Sequence, residues 1–141
     1  MATETKNEET TLDISSFFSR DNEENGKWYE PSVKGKPAGF EFKIYGPNSK
    51  AVALADEKFQ EAREKANAIE DKEEKAKKMD EVLAERFTGY IADVRGKDGR
   101  KLVIKGKEVT KDDIYTIILN SPVIALDVSR FAMKQDNFLG A

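Results

Sequence analysis

The sequence predicts an α+β fold: an N-terminal β-hairpin followed by a mainly helical body with a long central helix or helical hairpin. Three observations lead there. Phe40, Phe42 and Ile44 alternate with Glu41, Lys43 and Tyr45, the period of a strand with one buried face. From about Lys50 the apolar residues recur at helical spacing instead, with Val52, Ala55, Phe59, Ala62, Ala66 and Ile69 stepping by 3 or 4. Between these segments Gly46-Pro47-Asn48-Ser49 breaks the strand, and Asn48 or Ser49 can cap the helix behind it.

The elements follow in order. Residues 1–11 read as a disordered acidic tail, polar and with nothing to bury. Residues 12–141 read as one α+β domain: 12–48 the hairpin part, 49–94 the central helices, 95–109 a basic linker and 110–141 the C-terminal helices. Leu12, Ile14, Phe17 and Phe18 form the first apolar cluster. Trp28 and Tyr29 begin a short strand that ends at Pro31. Residues 32–38, with Gly35 and Pro37, turn the chain back into the strand over 40–45, a loop too long for the two-residue turn types.

After Ile69 the helical pattern resumes at Ala76, Met79, Leu83, Phe87, Tyr90 and Val94. Glu73 falls on the apolar position between the two runs, which favours a bend near residues 69–74 over a single rod. Oppositely charged pairs such as Glu61–Lys65 and Glu74–Lys78 support the helices at i,i+4 spacing. Residues 95–99 read as a loop, and Leu102, Val103 and Ile104 as a short apolar strand or extended link. Thr110 with Asp113 makes a capping box for a short helix over 111–119. Ser121-Pro122 then supplies a cap and a first-turn proline for the last helix, whose apolar stripe is Ile124, Val128, Phe131 and Ala132.

Composition limits the chemistry. At 141 residues, 38% hydrophobic and 36% charged, the chain holds one domain with a modest core and a highly charged surface. The absence of Cys removes disulfides, thiolate metal sites and thiol nucleophiles. The absence of His removes the commonest general base and the commonest transition-metal ligand, so a Ser-His-Asp triad is excluded and a zinc site would need carboxylates alone. Gly96 and Gly99 lack the spacing of a phosphate loop, and helix capping accounts for Asp112-Asp113 without a metal. No enzyme activity, cofactor or metal is expected. No apolar run approaches the ~20 residues of a membrane span, and Met1 to Thr11 has no apolar stretch of the secretory kind.

The net charge of −3 conceals a gradient. Residues 1–30 carry eight acids against Lys6, Arg20 and Lys27, whereas residues 95–111 carry seven bases against Asp98 and Glu108. The acidic end and the basic segment can attract each other, or their counterparts on a neighbouring copy. The basic segment is short, interleaved with aliphatic rather than stacking aromatic residues, and set in an acidic protein, so nucleic acid is not expected as a partner.

The residues singled out for partner binding are Ile124, Val128, Phe131, Phe138 and Leu139. Phe138 and Leu139 stand near the end of the sequence, beyond Lys134-Gln135-Asp136-Asn137, where fraying is normal. Two large apolar side chains in that place dock onto their own domain or onto another chain.

The order and spacing of these pieces over residues 12–139 resemble the tail assembly chaperones of long-tailed bacteriophages. The pieces are Leu12-Asp-Ile-Ser-Ser-Phe-Phe18 leading to Gly26-Lys-Trp28, the Gly39-Phe-Glu-Phe-Lys-Ile44 strand with its Gly-Pro-Asn-Ser turn before a charged helix, a Gly96-Lys-Asp-Gly99 loop, and a helix after Ser121-Pro122 closing on Asp136-Asn-Phe-Leu139. Two departures stand out: Val94 where such sequences often carry Trp, and basic residues 101–107 in place of a more neutral link. The resemblance implies a job without catalysis in the host cytoplasm. Such chaperones bind the tape measure protein, keep its apolar stretches soluble, help recruit tail-tube subunits and leave the finished particle. It also leaves room for a homo-oligomer and for a longer frameshifted form. The alternative reading is a structural virion protein, such as a neck, tail-completion or other minor subunit, which would stay in the particle.

Overall fold

In a computed structural model the described residues are 10–140; residues 1–9 of the expected acidic tail lie outside them. The strands are β1 (Lys27–Tyr29), β2 (Ser32–Val33), β3 (Lys36–Pro37), β4 (Phe40–Ile44), β5 (Ile91–Gly96), β6 (Val103–Ile104) and β7 (Lys107–Glu108). The α-helices are α1 (Arg20–Asn25), α2 (Lys50–Asn67), α3 (Lys72–Thr88), α4 (Ile114–Asn120) and α5 (Pro122–Ala132). The chain is therefore α+β.

The sheet has three antiparallel strands in the order β1–β4–β5. β4 lies at its centre, and the alternation legible in its sequence buries Phe42 and Ile44 completely. Phe42 pairs with Tyr29 on one side and Val94 on the other. The sheet is thus wider than an N-terminal hairpin, because its third strand returns from behind the central helices. The ten residues between β1 and β4 are not a plain loop: β2 and β3 form a ladder of their own. Lys34 (φ 53°) and Gly35 (φ 76°) occupy its tip, the pair of positive φ angles that a type I′ turn requires.

The central segment is a helical hairpin and not a rod. Ser49 caps α2 by accepting a hydrogen bond from the Val52 N–H, and Asp71 caps α3 by accepting one from the Glu74 N–H. The two helices enclose a separate small core of Phe59, Ala66 and Val82, bordered by Ala62, Met79 and Leu83. The larger core joins the sheet to α4 and α5 through Phe42, Ile44, Val52, Tyr90, Ile118 and Val128.

Three sequence expectations are corrected. The helical pattern carried through Tyr90 and Val94 stops at Thr88, and residues 91–96 form β5. The open edge of β4 is the cause, since its backbone groups need a partner; the Tyr45 N–H already bonds the Tyr90 carbonyl at 2.8 Å where the chain enters the sheet. The basic stretch over 95–109 is likewise no linker, because β6 and β7 pair around Lys105 (φ 49°) and Gly106 (φ 85°). Ser121 makes no side-chain cap; its carbonyl accepts the Ala125 N–H instead, while Pro122 takes the first turn as expected.

Gly89 lets the chain turn off α3 close against α2. A Cβ placed there would come within 2.7 Å of the Ala55 Cβ and 3.2 Å of the Arg86 carbonyl oxygen. Gly89→Ala is expected to destabilise the domain by about 1–3 kcal/mol through this overlap. Urea unfolding checks it, and unchanged stability would show that the two helices separate here without cost.

Candidate functional site

The five residues singled out for partner binding do not form one surface. Val128 and Phe138 are fully buried. Phe131 stacks on Tyr29 with ring centroids 4.3 Å apart and meets Phe138 edge-on at 5.6 Å. Ile124 lines a groove, half-buried, and Leu139 lies partly open. This stripe of α5 therefore seals the helix to β1 and to the C-terminal turn over Gln135–Phe138. The opposite side of the same helix carries Val123 and Leu126, and Met133 follows just beyond it, each about half exposed or more. These three were missed. Their signal was present in Pro122-Val-Ile-Ala-Leu-Asp-Val128, which is apolar around more of its circumference than one buried stripe needs.

Polar clusters hold the surrounding elements. Glu23 is only 3% exposed, and its carboxylate accepts from the Ser19 hydroxyl (2.7 Å), the Asn48 N–H (2.7 Å) and the Gln135 side-chain amide (3.1 Å). Next to it the Asn22 amide donates to the carbonyls of Phe138 and Gly140. Burial by itself would raise the Glu23 pKa, but the hydrogen bonds from Ser19, Asn48 and Gln135 outweigh it and hold the carboxyl below its usual range. Asp127 accepts from the Tyr29 hydroxyl at 2.7 Å and the Ser32 N–H at 2.9 Å. Burial, then that hydrogen bond, push the Tyr29 hydroxyl up to about 12. Asp56 accepts from Arg86 Nε (2.9 Å) and from the Tyr90 hydroxyl, and the Arg86 guanidinium covers the Phe59 ring at 4.3 Å. Tyr90 is also pushed up to about 12, by burial first and by Asp56 second. Each cluster pairs its acid with a donor from a different element, which is the arrangement of a structural clasp. Among the described residues no three acidic side chains gather where they could hold a metal ion. Asp112-Asp113 serves the capping box, with the Thr110 N–H 2.8 Å from the Asp113 carboxylate.

Several apolar features remain on the surface of the described residues. A groove of about 430 Å³ runs between α3 and the α4–α5 corner, lined by Leu83, Phe87, Leu119 and Leu126. A second, of about 630 Å³, lies between the β6–β7 hairpin and the same corner, lined by Phe40, Leu102, Ile104, Val109, Ile117 and Ile124. At the other end of the sheet the segment before α1 presents Leu12, Ile14, Phe17 and Phe18 at 77, 58, 66 and 56% exposure.

Comparison of the chain with protein-family models, with curated protein sequences and with solved structures returns no match. Among the described residues no single helix is long and apolar enough to cross a membrane. Residues 111–120 and 122–132 pass that test only together, across a 112° bend.

The clasp at Glu23 predicts an acid-sensitive fold. Its folded pKa lies below the unfolded value near 4.5, so its contribution is complete above that pH and is lost as pH falls through the lower folded value. Glu23→Gln is expected to cost about 1–3 kcal/mol at neutral pH and to flatten the loss of stability below pH 4.5. Denaturant unfolding over a pH series checks both. Parallel acid profiles for the two chains would place the acid sensitivity elsewhere.

Proposed function

We propose that the chain is a non-catalytic protein-binding adaptor of the phage tail assembly chaperone type, acting in the host cytoplasm on a tape measure protein and aiding tail-tube assembly. The observation that carries this reading is the outward side of α5, where Val123 and Leu126 stand exposed and Leu126 lines the groove formed with α3. An amphipathic helix laid along that groove would cover Leu83, Phe87 and Leu126 with residues at i, i+3 and i+4, the mode in which apolar helices are held by grooves. A tape measure protein is a long run of such helices, so weak contacts repeated over many copies would add up. The 36% charged composition keeps an adaptor with open apolar surface dispersed while it waits for its client. The order of sequence pieces over residues 12–139 selects the tail-assembly class from among adaptors.

The reading is tested by isolating the tagged chain from infected or induced host cells, with purified virions run alongside. A long helical partner in the lysate and no chain in the virion are the expected results. A chain retained in virions would replace this reading with the structural-subunit alternative. Val123→Asp with Leu126→Asp is expected to leave the fold intact and to lower recovery of that partner by more than about tenfold. Full recovery with the doubly substituted chain would remove α5 from the contact.

A further inference from the structure

We infer that this protein assembles with itself head to tail, the apolar segment before α1 of one copy seating in the groove beside the β6–β7 hairpin of the next. Two surfaces of the chain supply the halves of the contact, and they lie at opposite ends of the same strand. Residue Phe40, at the start of β4, lines the groove. Past the other end of β4, the Gly46 N–H bonds the Glu23 carbonyl of α1. The two ends of β4 are four residue steps apart, roughly 13 Å. The Gly140 N–H donates to the Phe18 carbonyl at 2.9 Å and so anchors the segment on the α1 side, where Leu12, Ile14 and Phe17 stay exposed. The groove in turn is left open beside Val103, which is itself exposed.

Charge specifies the pairing. The segment belongs to the acidic stretch over residues 1–30: Asp13 lies within it, Asp21 and Glu24 follow it with Arg20 between, and Glu8 and Glu9 precede it in sequence. Lys105 lines the groove, and Lys101 and Lys107 lie in or next to the hairpin beside it, where Glu108, 4.0 Å from Lys101, offsets one of the charges. Acidic apolar surface against basic apolar surface matches on both counts, whereas two segments or two grooves facing each other would set like charges together. The contact uses different patches on the two copies, so it repeats from copy to copy until a ring closes or a filament grows. None of this depends on the tail-assembly reading, and it uses neither Val123 nor Leu126.

Sedimentation of the purified full-length chain over a concentration series tests the inference. Mass that grows with concentration and falls as salt is added is expected. Phe17→Asp and Val103→Asp alter exposed side chains on the two halves, so each variant is expected to keep the native circular dichroism and to associate more than about tenfold less tightly. Mixed in equal amounts, the two variants are expected to form a 1:1 dimer and nothing larger, because each retains the half that the other lacks. A wild-type chain that stays monomeric throughout overturns the inference. So does a mixture that stays monomeric, or an association that neither substitution weakens. Loss of partner recovery in the Val123 and Leu126 variant with self-association intact would separate the two surfaces.

Discussion

A single buried carboxylate fixes how the ends of this domain come together. Glu23 draws in the serine before its own helix, the turn between β4 and α2, and the glutamine of the C-terminal turn. A charge held at 3% exposure is tolerable only if its lone pairs are met, and here donors from three separate stretches of chain meet them. The same carboxylate dictates the residue opposite. A Cβ on Gly46 would come within 2.1 Å of the Glu23 side chain, so the turn out of the sheet must be glycine for reasons of space. Through this one group the sheet, the start of the helical hairpin and the C-terminal turn are placed relative to one another, and Phe138 is carried into the core.

The helical hairpin answers to a second constraint of the same kind. Asp56 on α2 reaches Arg86 and Tyr90, so the far end of α3 and the entry to β5 are tied to the start of α2. Because Tyr90 is almost wholly buried, its hydroxyl needs that partner. The result is a rigid junction from which the hairpin projects its smaller core of Phe59, Ala66 and Val82. Apolar surface that these clasps do not cover is left open, and it is on parts of that surface that contact with other chains is proposed.

The sequence was most legible where one local rule governs. The alternation in β4, the Ser49 cap, the break before α3, the capping box at Thr110 and Pro122 all depend on residues within four positions of one another, and all stand in the structure. Strand β5 was not legible, because Tyr90 and Val94 happen to continue the three- and four-residue steps of α3 while the true partner of residues 91–96 lies about fifty positions upstream. The two small hairpins had a signal that was passed over: Val33-Lys-Gly-Lys36 and Ile104-Lys-Gly-Lys107 are the same motif, and each puts lysine and glycine at positive φ. Lysine is an uncommon choice for that position, so asparagine-glycine expectations overlook it. For the candidate surface, the apolar character of α5 was readable but its orientation was not. Which side faces inward is decided by Tyr29 and Phe138, more than ninety residues before it and a few after it.

The clasp between α1 and the turn over Gln135–Phe138 also fixes the order in which these elements can come together. Glu23 and Gln135 are 112 residues apart, and Asn22 and the Phe138 carbonyl 116. A chain emerging from the ribosome can close its helical hairpin and pair β4 with β5 early, since those contacts are nearer in sequence. It cannot give the Glu23 carboxylate its third donor or cover Tyr29 until α5 and the turn behind it have appeared. The sheet therefore stays unsealed until residues 122–138 have been made, so its closure follows the helical hairpin and the β4–β5 pairing.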